Sequence, residues 1–174
     1  MNSLGLVGDE ISHTLKSIEP EAVVALTEAF ADRGRRWFVS GQGRSRLVAS
    51  MTAMRLMHVG FDVHVTGEVT APAIAAGDSL MMLSASGATP VSVHLAQRAA
   101  DVGARVLALT TRPDSELAGV ADIVVAIAAD RSRQFGGSLF EQAALLLLDA
   151  LVLELTEDDP TSFERMRARH TNLE

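Results

Sequence analysis

The chain has 174 residues, no cysteine and a net charge of −7. This length suits one domain with a single core, and the absence of thiols excludes disulfides and thiolate chemistry. The acidic balance argues against nucleic acid as a partner. The first ten residues lack the basic and apolar regions of a signal peptide, and the longest apolar run, residues 143–148, is far shorter than a membrane span. We therefore expect a cytoplasmic protein with no membrane partner.

Short apolar runs alternate with helical patterns along the chain, after two helices at the N-terminus. The predicted helices, in chain order, span residues 9–18, residues 20–33, a stretch from the turn at 41–45 to about residue 58, residues 90–102 and residues 138 to about 157. A last helix starts at residue 160. The predicted strands span residues 37–39, 62–65, 79–83, 106–110 and 123–127. Continuously apolar strands between helices are typical of a parallel sheet that is covered on both faces. The sequence thus predicts an α/β fold, a three-layer αβα sandwich with a five-stranded parallel sheet of the flavodoxin-like or Rossmann-like kind.

Residues 1–174 are predicted to form one domain, in which residues 1–34 supply the N-terminal helices and residues 160–174 a C-terminal helix. In such folds, ligands bind at the carboxyl ends of the strands. The C-terminus is basic, since it contains Arg165, Arg167, Arg169 and His170. Such a stretch is usually a solvated face, but it could also reach over the pocket of a neighbouring subunit and bind an anion there.

Hydroxyl groups cluster around Gly87 directly after the third predicted strand, on Ser84, Ser86 and Thr89. A single hydroxyl would suffice to cap the helix that follows. Three hydroxyls, a glycine that admits close backbone approach and the N-terminus of a helix together favour a phosphate site. We expect this loop to hold a phosphate without a metal.

The first strand also leads into a glycine-bearing turn, which contains Gly43, Arg44 and Ser45. A dinucleotide fingerprint would place a third glycine at the position of Arg46, and the lysine of a P-loop is missing. The turn is therefore either a tight turn with Ser45 as a cap, or a second loop that lines the same crevice and bonds the phosphate through Ser45.

His58 and Glu141 are the candidates for acid–base chemistry. His58 continues an apolar helical stripe of Leu47, Met51 and Met54, which favours a half-buried histidine near a helix end. It could instead be an acid–base group that faces the crevice. Glu141 follows Ser138 by three residues, the spacing of a capping box, although a carboxylate in a first helical turn beside a crevice could also serve as a base.

Taken together, these blocks resemble the sugar isomerase (SIS) domain family, and most closely its 6-phospho-3-hexuloisomerase branch. The resemblance is carried by the following residues: Gly41-x-Gly43-Arg44-Ser45; Met54-Arg55-Leu56-Met57-His58-x-Gly60-Phe61; Gly67-Glu68 with Thr70-Ala71-Pro72-Ala73-Ile74; Gly77-Asp78; Ser84-x-Ser86-Gly87-x-Thr89; Gly137-Ser138-Leu139-Phe140-Glu141; and Arg169-His170-x-Asn172-Leu173-Glu174. The M-R-L-M-H and R-H-x-N-L-E segments are specific to the branch.

The resemblance implies a SIS-type fold and isomerisation of D-arabino-hex-3-ulose 6-phosphate to D-fructose 6-phosphate through an enediol. It implies no cofactor and no metal, a homotetramer or dimer, and a role in formaldehyde fixation by the ribulose monophosphate pathway. Carried over from the family, the site comprises the phosphate-binding residues Ser45, Ser84, Ser86 and Thr89, the catalytic residues His58 and Glu141, and the further pocket residues Gly43, Arg44, Gly87 and His170.

The sequence departs from the family pattern at two positions. Ala88 stands where the family usually has glutamate, and Arg46 stands where a glycine is common. Both changes leave the phosphosugar preference open. An isomerase of another phosphosugar is therefore one alternative to the hexulose phosphate isomerase. A non-catalytic phosphosugar sensor is the other, because domains of the family also serve as ligand-binding modules in regulators.

Overall fold

The computed structural model describes residues 2–173 and contains one all-parallel, five-stranded sheet between two layers of helices. The strands are β1 (Trp37–Gly41), β2 (Val63–Val65), β3 (Ser79–Leu83), β4 (Arg105–Thr110) and β5 (Ile123–Ala126). The helices are α1 (Ser3–Lys16), α2 (Pro20–Ala29), α3 (Arg44–His58), α4 (Pro90–Asp101), α5 (Glu116–Val120), α6 (Ser138–Glu154) and α7 (Ser162–Arg169). The predicted αβα sandwich is confirmed. Glu174, the last residue of the C-terminal motif, lies outside the described residues.

The sheet separates two apolar cores, which explains why most residues of its strands are apolar. Met81 packs into the core beneath α1, α2, α3 and α6, and its neighbour Met82 packs into the core beneath α4 and α5. Successive residues of a strand point to opposite faces, so a strand with a core on each side needs apolar side chains on both faces. Ser40, Ser79 and Thr110 are polar exceptions within the strands that are also buried.

The strand order β2-β1-β3-β4-β5 places a topological switch point between β1 and β3. The chain leaves β1 through α3 toward β2, and leaves β3 through α4 toward β4. Gly41 pairs with Leu83 in the register of the two strands, so the two turns that follow them leave the sheet side by side. A switch point of this kind opens a crevice at the carboxyl ends of the strands.

The largest differences from the prediction are at two helix boundaries and in one additional helix. The first helix starts at Ser3 rather than residue 9, because Asn2 caps it by accepting a hydrogen bond from the Gly5 amide at 2.7 Å. The second ends at Ala29 rather than residue 33, because Phe30 turns into the core and stacks on Trp37 with ring centroids 3.7 Å apart.

The short helix α5 was not predicted. The one residue in the sequence that indicates this helix is Ser115. Its hydroxyl accepts a hydrogen bond from the Ala118 amide at 3.3 Å and caps the helix. A helix of five residues is too short to show an apolar period, so only this cap could have revealed it.

Among residues 2–173, no helix is long and apolar enough to cross a bilayer. The cytoplasmic location expected from the sequence stays a prediction.

Candidate functional site

The two turns at the switch point are shaped by glycines that no other residue can replace without a clash. A Cβ on Gly41 would lie 2.8 Å from the Ser45 carbonyl carbon, where the chain turns into α3. Gly87 has a φ of +61°, and a Cβ there would lie 2.0 Å from the Ser115 hydroxyl. Close packing against neighbouring atoms therefore sets both turns.

The hydroxyls of the second turn are not used to cap the helix behind them. Thr89 is the N-cap of α4 by its backbone, but its side chain makes no capping hydrogen bond. The buried Ser84 hydroxyl lies 3.4 Å from the Thr89 hydroxyl, and the exposed Ser86 hydroxyl accepts from the Ala88 amide at 3.2 Å. The alternative of a simple helix cap is therefore wrong, and the loop presents hydroxyls beside the N-terminus of α4.

A crevice of about 370 Å³ opens beside this loop at the carboxyl ends of β3, β4 and β5. Its wall includes Ser86 and Thr111 on one side and Ser132, Gln134, Gly136 and Gly137 on the other. Thr111, Ser132 and Gln134 were not singled out from the sequence. Their position shortly after the apolar runs of β4 and β5 could have indicated them, because residues that follow parallel strands lie at the same edge of the sheet.

Glu141 lies in the first turn of α6 and forms an ion pair with Arg44, the first residue of α3. The Arg44 Nε is 3.0 Å from the Glu141 Oε1, and the same guanidinium donates to the Gly136 carbonyl. The Glu141 side chain is only 19% exposed. Burial raises the pKa of this carboxyl, and the positive charge of Arg44 opposes part of that rise.

The capping box, one of the two interpretations of the Ser138–Glu141 spacing, is not formed. The N-cap of α6 is Gly137, with a φ of +84°, and the Ser138 hydroxyl donates to the Phe135 carbonyl at 2.6 Å. Glu141 is therefore free of the capping role that its spacing suggested. Its carboxylate is held by Arg44, at the end of the sheet where the crevice opens.

The first glycine turn supplies the other predicted pocket residues. Gly43, with a φ of +58°, is the N-cap of α3, and the half-buried Ser45 lies in the first turn of that helix. Arg46 points away toward β2, since its guanidinium donates to the Thr66 carbonyl at 2.9 Å. The charge of Arg46 thus lies beside the turn that follows β2. The roles of Gly43 and Ser45 toward a phosphate stay predictions.

His58 lies at the opposite end of α3 from Arg44. Its ring stacks on that of His170, with centroids 5.4 Å apart and planes 10° from parallel. Both rings lie near a groove of about 440 Å³ between α3, α6 and α7 that His58 lines. Burial, and then the charge of His170, lower the pKa of His58, which favours the neutral imidazole.

Glu141 and His58 do not meet within one chain. From Arg44 to His58 the helix rises about 21 Å. Helices α3 and α6 run side by side in the same direction, because Arg44 pairs with Glu141 at one end and Arg55 pairs with Asp149 at 2.6 Å near the other. The hypothesis that His58 faces the crevice of its own chain is therefore wrong.

The stripe that contains His58 lies on the outside of α3. Leu47 is 64% exposed and Met54 57% exposed, and Met51 is also exposed. The side of α3 toward the core carries instead Val48, Ala49, Thr52, Ala53 and Leu56. An apolar stripe that the core does not use is available for another surface.

Within residues 2–173, the structure contains no group of three or more histidine, aspartate or glutamate side chains that could hold a metal ion.

Comparison with known proteins gives consistent matches. Residues 29–154 match the model of the SIS domain family. The chain is 46% identical over 181 aligned positions to the 3-hexulose-6-phosphate isomerase of Mycobacterium gastri, covering 99% of this chain and 90% of the relative. It is 39% identical to the enzyme of the same name from Bacillus subtilis, covering 79% of each chain.

The fold is also similar to a crystal structure from Methanococcus jannaschii, with a TM-score of 0.90, 27% identity and complete coverage of both chains. That structure is described as inferring a molecular function of 3-hexulose-6-phosphate isomerase for a hypothetical protein. The resemblance found in the sequence motifs is thereby confirmed.

Proposed function

This chain belongs to the SIS domain family, and we propose that it is the isomerase that converts D-arabino-hex-3-ulose 6-phosphate to D-fructose 6-phosphate. The observation that carries the proposal is the half-buried carboxyl of Glu141, held by Arg44 at the end of the sheet where the hydroxyl loop 84–89 opens. A relative that carries the name of this enzyme supports the proposal over 99% of the chain, and a second supports it over 79%. The proposed setting is formaldehyde fixation by the ribulose monophosphate pathway.

The phosphate is proposed to lie against loop 84–89. Ser84, Ser86 and Thr89 donate hydrogen bonds to its oxygens, and Gly87 lets the backbone approach. The α4 dipole favours the negative charge, since unpaired amides and the positive end of a helix stabilise anions. Ser45 reaches the same phosphate from the neighbouring turn. Holding the phosphate fixes the reacting carbons relative to the base.

Glu141 is proposed as the base. Moving the carbonyl from C3 to C2 requires a proton to leave C2 and a proton to return to C3, through an enediol. A carboxyl whose pKa is raised by burial binds the C2 proton more strongly, and it can deliver a proton to C3 in the next step. Arg44 holds the carboxylate ionised in the resting site. His58, as a neutral imidazole, moves protons between the O2 and O3 oxygens.

A site that uses both Glu141 and His58 requires two copies of the chain. A two-fold axis through the middle of α3, near Met51, pairs the helix with its copy in antiparallel fashion. It brings the Arg44 end of one chain to the His58 end of the other. The exposed stripe of Leu47, Met51 and Met54 supplies the apolar contact for this pairing.

Because His170 stacks on His58, the end of the C-terminal helix would lie next to the His58 imidazole at the partner's site in this dimer. We propose this dimer as the functional unit, and a homotetramer as a pair of such dimers.

The direct test is turnover of the substrate. Purified protein is given D-arabino-hex-3-ulose 6-phosphate without added metal, and fructose 6-phosphate is measured by a coupled assay. We expect rapid formation of fructose 6-phosphate. Binding of fructose 6-phosphate without any turnover would contradict the proposal and favour a phosphosugar sensor. If the protein turns over only a different phosphosugar, it is an isomerase of that phosphosugar.

A further inference from the structure

Glu10, on α1, reaches across to the segment that leads into α6 and accepts hydrogen bonds from three consecutive residues. The Ser132 hydroxyl donates to Oε2 at 2.7 Å, the Arg133 amide donates to Oε1 at 2.9 Å, and the Gln134 side-chain amide donates to Oε2 at 3.1 Å. A carboxylate has two acceptor oxygens, and both are used here.

The segment is irregular, since it lies between the end of β5 and the start of α6. The Ser132 hydroxyl also accepts from the Gln134 backbone amide at 3.0 Å, so the three residues form one hydrogen-bonded unit around Glu10. The bond from the Arg133 amide, followed by that from Ser132, lowers the pKa of the Glu10 carboxyl and keeps it an ionised acceptor.

The clamped segment forms one wall of the crevice. Ser132 and Gln134 line it, followed by Gly136 and Gly137. The Gly136 carbonyl accepts from Arg44, which in turn pairs with Glu141. The phosphate loop is on a different segment, after β3.

We propose that Glu10 is a positioning residue, which holds residues 132–137 in place as the wall that contacts the carbohydrate part of the substrate. The inference rests on the proposed function and extends it, because it divides recognition between two segments. Loop 84–89 binds the phosphate, and the wall held by Glu10 binds the sugar and orients Arg44 on Glu141. Loss of the clamp should therefore weaken phosphosugar binding and leave inorganic phosphate binding intact.

Glu10→Gln tests the clamp, with Asp9→Asn as the matched control. The glutamine keeps the size of the side chain but offers one acceptor oxygen, and its amide group faces other donors. The control removes one negative charge from an exposed neighbour on the same helix. For Glu10→Gln we expect KM for the phosphosugar to rise about tenfold with a smaller change in kcat, as a charge-assisted hydrogen bond is lost. The inhibition constant of inorganic phosphate should equal that of the wild type.

Amide hydrogen exchange gives a readout that does not need turnover. Residues 132–137 should exchange faster in Glu10→Gln than in the wild type or Asp9→Asn, with the rest of the chain unchanged. Ser132→Ala should raise KM when it is introduced into the wild type. In the Glu10→Gln variant it should raise KM little further, because the effects of two residues that interact directly do not add.

Unchanged exchange at 132–137, an unchanged KM, or an equal loss of inorganic phosphate binding would each overturn the inference. These outcomes are separable from failure of the proposed function. If the wild type does not turn over the hexulose phosphate, the proposed reaction fails, and the exchange data together with fructose 6-phosphate binding still decide the role of Glu10.

Discussion

The two ends of α3 differ in how far the side chains there are held by other elements of the same chain. At the Arg44 end, the side chain is tied to Glu141 and to the Gly136 carbonyl, and the hydroxyl loop emerges from the adjoining strand. At the His58 end, the imidazole lines an open groove and has another histidine as its stacking partner. The two groups that we propose as parts of one site thus lie about 21 Å apart along one helix of a single chain. In the proposed dimer, the length of α3 sets the spacing that the second copy has to match.

The largest effect is expected at the Arg44 end. Glu141→Gln removes the proposed base and should lower kcat about 10³-fold, within the usual range for a general base. Affinity for fructose 6-phosphate, measured by calorimetry, should change little. Glu154→Gln, at the other end of the same helix, is the matched control and should retain full turnover. A Glu141→Gln protein with nearly normal kcat would remove Glu141 from the mechanism.

Mixing two inactive variants tests whether Glu141 of one subunit and His58 of another form one active site. His58→Ala and Glu141→Gln are each expected to lose most of their turnover. After they are unfolded together and refolded as an equal mixture, half of the dimers are mixed and each of these carries one intact site. The mixture should therefore recover about a quarter of wild-type activity, as a two-fold symmetric pair requires. A mixture that stays inactive would contradict a shared site.

The exposed stripe on α3 should hold the two copies together. Met51→Asp places a charge at the proposed two-fold axis, so we expect a smaller oligomer by light scattering and a fall in kcat of about 100-fold, as acid–base groups contribute such factors. Val102→Asp is the control, since Val102 is exposed at the C-terminal end of α4, in the opposite layer and at the far end of that helix from loop 84–89. Full activity in a monomeric Met51→Asp protein would show that one chain suffices.

Ser86→Ala probes the phosphate loop without touching the proton chemistry. Loss of a hydroxyl that bonds a charged group costs roughly 1.5–3 kcal/mol, so KM should rise about tenfold or more with kcat little changed. Ser92→Ala removes a buried hydroxyl from α4 and is the control. Equal KM values for Ser86→Ala and the wild type would refute the placement of the phosphate.

The smallest effect is a shift in pH dependence. Burial raises the pKa of Glu141 and Arg44 opposes the rise, so Arg44→Met should leave the pKa higher still. Because the base acts when deprotonated, the acidic limb of kcat/KM should move to higher pH. Arg46→Met, whose guanidinium bonds to the Thr66 carbonyl instead, should leave that limb in place. A limb that moves equally in both variants would mean that Arg44 has no specific effect on Glu141.

Much of the fold could be read from local patterns. The strands follow from apolar runs, and the start of α2 follows from Pro20 at its first turn. The end of α2 could not, because it depends on Phe30 leaving the helix to stack on Trp37 in the core. The capping spacing of Ser138 and Glu141 was misleading for a similar reason. Gly137 took the cap position, and a distant arginine supplied the partner for the carboxylate.

The amino-acid sequence by itself determined which chemical groups this protein has and where its turns fall. The hydroxyls around Gly87, the carboxylate at 141 and the motif of His58 could all be recognised there, since a turn or a strand depends on neighbouring residues. Only the tertiary structure decided which of these groups meet. Arg44 reaches Glu141 and Glu10 reaches Ser132 across about a hundred residues, and a rigid helix keeps His58 from the crevice of its own chain. Such distances depend on packing and helix geometry, which no local pattern encodes.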